Sequence, residues 1–194
     1  MYTKKSLKYG KNIQVILPGE FYVSNNDEMI STLLGSCVSV CLHDPIKRIS
    51  GMNHFMLPGR MRNKNNDIFF DRSAKYGIIA INELFSEIMK YGSEKRNLIA
   101  KVFGGGHVLK VGINNVPSDN VRLAKVVLEM EDVPIVEEDV GDIFTRKIIM
   151  DVHTGNIFLK KLAGKSVYEN VYKREIDFKR SRYWDYEYNK GLDS

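Results

Sequence analysis

The chain has 194 residues, 43% hydrophobic and 27% charged, the balance of one soluble globular domain whose core needs no disulfide or metal staple. Its most apolar run, Met29 to Leu42, is broken by Ser31, Thr32, Gly35 and Ser36 and is too short to span a bilayer, so membrane insertion is not expected. The net charge of +5 is spread out and comes with no RNP, KH or helix-turn-helix signature, so it reads as solubility and attraction to acidic partners rather than nucleic-acid binding.

At the N-terminus, MYTKKSLKYGKN has basic residues without an apolar segment behind them, which points to the cytoplasm. Gln14 to Leu17 is a short apolar run stopped by Pro18-Gly19, a strand followed by a turn. Asn25, Asn26 and Asp27 form a loop. Val38 to Leu42 reads as a strand ending at Asp44-Pro45, and Arg48 to Leu57 returns as its neighbour as far as Pro58-Gly59. Residues 60–72 are polar and loop-like around an apolar knot at Ile68 to Phe70. Ala74 to Tyr91 is the clearest helix, with Ile78, Ile81, Leu84, Phe85, Ile88 and Met89 at helical spacing and Gly92 as the stop. Leu98 to Phe103 reads as a buried strand entering the glycine triplet Gly104 to Gly106. A second helix is expected from Ser118 or Asp119, either of which can cap it, with Val121, Ala124, Val127 and Leu128 as its apolar face. Pro134 to Val136 is a strand, and Lys147 to Val152 with Asn156 to Leu162 flank the turn His153-Thr154-Gly155 as a β-hairpin.

Residues 165–194 change composition, mixing both charge signs with Tyr168, Tyr172, Phe178, Tyr183, Trp184, Tyr186 and Tyr188. Part of this segment is expected to pack on the domain or on a partner, burying Trp184 or its neighbouring tyrosines. The expected class is α+β: a layered β-sheet or β-sandwich core, largely antiparallel, with two main amphipathic helices packed on it. The chain then divides into a domain over 1–164 and an extension over 165–194.

Chemistry concentrates in STLLGSCVSVCLHDP, where Cys37 follows the small pair Gly35-Ser36. Such a pair lets the backbone turn sharply and aim N–H groups at a substrate oxygen. A thiol attacks as thiolate, and a nearby histidine generates it by taking the proton. His54 is the candidate base, because an adjacent antiparallel strand brings it beside Cys37. The third role, orienting the imidazole, falls locally to Ser31, Thr32 or Asn53. Cys41, between Val40 and Leu42, fits an inert buried thiol. His43 beside Asp44-Pro45 and His153 in the hairpin read as exposed turn residues, and His107 as a loop residue. The two cysteines fit neither a disulfide framework nor a zinc pair, and no cofactor or metal is expected.

The blocks Leu-Gly-Ser-Cys-Val-x-Val-Cys-Leu-x-Asp-Pro and Gly-Met-Asn-His-Phe-Met-Leu-Pro closely resemble the CheD family of chemoreceptor glutamine deamidases. The resemblance runs through Lys101 to Gly106, Glu138 to Gly141 and His153 to Asn156, and covers about residues 12–163. It implies a cytoplasmic enzyme that hydrolyses glutamine side chains on chemoreceptor helices to glutamate and ammonia. Cys37 matches the family nucleophile and His54 the family base. The family's third residue, a threonine six positions before the cysteine, maps to Ser31, with Thr32 as the alternative. Implied partners are the receptor cytoplasmic helices and, in many species, a CheC-type phosphatase. The chain departs from the family at Val116 to Asn120, which lacks the arginine of the usual Ile-Gly-x-Arg-Asn. A second reading, a non-enzymatic adaptor that binds and regulates such a phosphatase, would not require the Cys37–His54 pair.

Overall fold

The computed structural model describes residues 1–57, 72–108 and 115–163, together with 167, 169, 171, 173–178 and 180. The expected loop over 60–72 lies almost wholly outside them, and so do Trp184 and the tyrosines beside it.

Among the described residues, ten strands form two five-stranded sheets. The first holds β1 (Tyr2–Lys5), β2 (Asn12–Val15), β4 (Met29–Leu34), β9 (Thr145–Asp151) and β10 (Ile157–Leu162), in that order. The second holds β3 (Phe21–Ser24), β6 (Ile49–Asn53), β5 (Val38–Asp44), β7 (Ile99–Gly104) and β8 (Ile135–Val140). Among the described strands, only β2–β4 and β7–β8 pair in parallel. The second of these follows a helical crossover, as a parallel pair requires. Two long helices, α1 (Arg72–Lys90) and α2 (Val116–Met130), are accompanied by helical residues at 171 and 173–178 of the C-terminal segment.

Side-chain alternation sorts the residues into three layers. Val38, Val40 and Leu42 of β5 point to the helices, where they meet Ile81, Leu84 and Ile88 of α1 and Leu123 and Val127 of α2. Cys37, Cys41, Met52, Met56 and Phe103 point the other way, against Ile30, Leu34, Ile148 and Met150 of the first sheet. The α+β expectation therefore holds, as two stacked sheets with helices covering one of them.

Several boundaries differ from the sequence reading. The strand expected to Leu57 ends at Asn53, because the turn Pro18 to Glu20 takes the backbone of His54: Gly19 N–H donates to His54 C=O at 2.7 Å and His54 N–H to Glu20 C=O at 2.9 Å. The α2 helix begins two residues before Ser118, with Pro117 in its first turn, where proline lacks no useful donor. Strands β1, β3 and β4 were not anticipated. β4 is buried on both faces and so shows no alternation of hydrophobicity. His43 is buried rather than exposed, its Nδ1 2.9 Å from Ser50 Oγ.

Candidate active site

The loop Gly35 to Cys37 carries the chain from β4 in one sheet to β5 in the other. Three neighbours hold its carbonyls. Gly106 N–H donates to Gly35 C=O at 2.8 Å and Gly105 N–H to Cys37 C=O at 2.7 Å. Asn120 of α2, fully buried, donates through Nδ2 to Ser36 C=O at 2.9 Å and accepts from Leu57 N–H at 2.8 Å. With these carbonyls fixed on one side, the N–H groups of Ser36 and Cys37 turn together to the other. Two convergent backbone donors beside a thiol are what stabilises an oxyanion.

The glycine triplet can pack this closely only as glycine, for a Cβ at Gly106 would lie 2.5 Å from the Phe144 carbonyl oxygen and the first position is tighter still. Gly104 has φ of +110°, and a Cβ there would run into the backbone C=O of Cys37. Behind the triplet, Gly141 N–H donates to Gly104 C=O at 2.9 Å, and the buried Arg146 pairs through Nε with Asp139 at 2.7 Å. The Arg146 and Lys161 cations beside Asp139 hold its carboxyl below the usual range against the opposing effect of burial.

His54 lies just beyond β6. Val38 and Phe55 form an antiparallel bridge with N–H donors to C=O acceptors at 3.0 and 2.9 Å. That register sets Cys37 opposite Met56 and His54 opposite Ser39. Cys37 and His54 therefore project from the same face as diagonal neighbours, whose backbones lie ~7–8 Å apart. No hydrogen bond joins them in this structure: Nε2 of His54 is buried and has no partner among the described residues.

The hydroxyl on the imidazole is that of Thr32, 2.7 Å from His54 Nδ1. Thr32 also donates its one hydroxyl proton to Ile16 C=O at 2.9 Å. It can then only accept from the ring, so Nδ1 carries the proton and Nε2 presents a lone pair. This corrects the expectation for Ser31, whose hydroxyl donates to Ile148 C=O at 2.8 Å instead. The reason is strand parity: Ile30 and Leu34 belong to the core between the sheets, so Thr32 does too, whereas Met29 and Ser31 face outward with Ile13 and Val15. Asn53 is structural, accepting from Val40 N–H at 2.8 Å and donating to Ala80 C=O at 3.2 Å.

Burial, with the Arg174 cation adding to it, pushes the His54 imidazole down to about 3. The ring is therefore neutral at physiological pH, the form that accepts a proton. Burial pushes the Cys41 thiol up to about 12, leaving it protonated and unreactive. A cavity of about 250 Å³ adjoins the site, lined by Ile16, Thr32, His54, Val171, Arg174 and Glu175. Packing of part of residues 165–194 on the domain is an expectation of the sequence, and Val171 and Glu175 of that segment are buried. The role of Asn120 and the entry of Glu175 into the site are not expected from it. The Asn that survives in the departing stretch Val116 to Asn120 was the only signal for the first.

A family model described as CheD chemotactic sensory transduction matches residues 56–161. A probable chemoreceptor glutamine deamidase CheD from Methylobacillus flagellatus is 42% identical over 159 residues, 80% of this chain and 76% of the relative. One from Hahella chejuensis is 39% identical over 86% of this chain and 77% of its own length. A third, from Herminiimonas arsenicoxydans, is 38% identical over 88% of this chain and 83% of its own. An alignment that long leaves out too few residues at either end to miss Cys37 or His54. Among the described residues no helix is long and apolar enough to cross a membrane. With relatives this similar over most of its length, the chain belongs to the CheD family.

Proposed function

We propose that the chain is a chemoreceptor glutamine deamidase working in the cytoplasm, with Cys37 as nucleophile, His54 as general base and Thr32 as the residue that orients His54. The observation that carries this reading is the Ile16–Thr32–His54 chain of hydrogen bonds, which leaves the Nε2 lone pair as the unpaired end. The names of the relatives supply the substrate, a glutamine side chain on a receptor. The catalytic unit is the domain over 1–164, and residues 165–194 are an extension of it.

Hydrolysis of a side-chain amide needs a strong nucleophile and a protonated leaving group. His54 Nε2 takes the Cys37 proton, and the thiolate attacks the amide carbon. Negative charge develops on the amide oxygen and is met by the N–H groups of Ser36 and Cys37. Imidazolium then donates its proton to the departing ammonia, and the neutral ring activates water to cleave the thioester. The extra charge on His54 is transient and costly in a buried site, and the Thr32 oxygen at Nδ1–H offsets part of that cost.

Full-length parent, Cys37→Ala, His54→Ala and Cys41→Ala, incubated with a receptor cytoplasmic fragment, provide the test by mass spectrometry of glutamate formation. The first two substitutions abolish turnover, since nucleophile and base act as a unit. Cys41→Ala keeps turnover near that of the parent. Undiminished deamidation by Cys37→Ala overturns the reading.

A further inference from the structure

The chemistry above needs Cys37 and His54 to meet a glutamine on another protein, yet both are buried, at 0% and 2% exposure. The described residues show what lies over them. Val171 and residues 173–178 are helical, and Val171, Glu175 and Phe178 fall on one face at i, i+4 and i+7. Val171 packs so tightly on the turn that a Cβ at Gly35 would lie 2.6 Å from its Cγ1. Phe178 packs on Gly19 and on the Tyr76 ring, centroids 6.4 Å apart.

Between these two apolar anchors the carboxylate of Glu175, only 4% exposed, enters the site. Its Oε1 accepts from Ser36 N–H at 2.8 Å and, more weakly, from Cys37 N–H at 3.4 Å. Its Oε2 accepts from Ser36 Oγ at 2.5 Å. These backbone donors are the pair assigned above to the amide oxygen of the substrate. The group resting on them is a glutamate side chain on a helix, chemically the product of the proposed reaction.

We propose that the C-terminal helix is an intramolecular product mimic, which fills the substrate groove through Glu175 and must be displaced before a receptor glutamine reaches Cys37. The mimicry rests on the deamidase reading, whereas the shielding of Cys37 does not. Arg174 of the same helix, adjoining His54, adds a second restraint in the closed form, since its cation disfavours the imidazolium. The apolar residues at −4 and +3 around position 175 also indicate what a displacing helix must present on either side of its glutamine.

The test uses the full chain. Iodoacetamide labelling of Cys37, followed on its own peptide, is compared between parent and Phe178→Ser, which loosens the apolar anchor on Gly19 and Tyr76. Labelling and receptor-fragment deamidation both rise about tenfold or more in Phe178→Ser, because the open population rises. Equal labelling rates in the two proteins overturn the proposal. Glu175→Gln gives a second measurement that survives any folding failure of Phe178→Ser. It places a carboxamide on the oxyanion donors, so Cys37 should expel its nitrogen as ammonia, form an internal thioester and, with water, regenerate the carboxylate at position 175. The mass of that peptide then shifts from amide to acid, and does not shift when Cys37→Ala is added. A Glu175→Gln protein that deamidates a receptor fragment but never converts its own side chain overturns the mimicry. Conversion of neither glutamine, with Cys37 still shielded in the parent, removes the deamidase reading and leaves the shielding in place.

Discussion

At the scale of single residues, the division of labour between Ser31 and Thr32 carries the most information. Both hydroxyls are buried, and each has one backbone acceptor, Ile148 for Ser31 and Ile16 for Thr32. Only Thr32 has its remaining lone pair on the imidazole. Thr32→Val keeps the volume and removes that acceptor, so it should lower kcat by about a hundredfold while KM changes little, and Thr32→Ser should restore most of the loss. Ser31→Ala should leave kcat within about twofold and cost about 1 kcal/mol of stability through one lost hydrogen bond. Steady-state kinetics with denaturant unfolding separates the two. The reverse pattern would return the orienting role to Ser31. Cys37 and His54 could be nominated from the sequence because a small pair before a cysteine and a histidine on the following strand are local signals, and because both fall in the blocks that resemble the CheD family. The choice between Ser31 and Thr32 was not legible, since it depends on which face of β4 meets the second sheet, and β4 is buried on both. Glu175 has no local signature beyond being a carboxylate within the apolar stripe of Val171 and Phe178.

At the scale of elements, the site is a turn clamped by other turns. Strand β7 ends in the triplet that receives the carbonyls of Gly35 and Cys37, and α2 delivers Asn120 to the carbonyl between them. β7, both helices and the β9–β10 hairpin are legible in the sequence, because their periodicity and glycine stops are local. The triplet's purpose is not, because its partners lie far away in sequence. Two glycines with positive φ make the contrast testable. Gly92 has φ of +93° at the end of α1 with open space around its missing Cβ, whereas Gly104 at +110° abuts the Cys37 backbone. Gly92→Ala should therefore cost about 1 kcal/mol for backbone strain alone. Gly104→Ala should cost about 3 kcal/mol or more and abolish deamidation, since strain and a backbone clash combine. Urea unfolding midpoints provide the comparison, and equal losses at the two positions would mean that the triplet does not shape the Cys37 turn.

At the scale of the whole molecule, the two sheets and the reactive groups are inseparable. Thr32 stands on one sheet, Cys37 and His54 belong to the other, and the hydrogen bond from imidazole to hydroxyl crosses the core between them. The layered α+β class was legible from the mixture of short strands and two amphipathic helices. Which strands belong to which sheet was not, because that depends on the crossing at Gly35 to Cys37. In the proposed mechanism glutamine hydrolysis runs through a covalent intermediate on Cys37. Acid-quenching a reaction of the full chain with a receptor fragment in the first turnover, then mapping adducts by mass spectrometry, tests it directly. The expected result is a thioester joining Cys37 to the receptor glutamine with the loss of ammonia, accumulating in a protein whose deacylation is slowed and absent from Cys37→Ala. Glutamate appearing with no adduct at any stage, or with an adduct on Cys41, would contradict it.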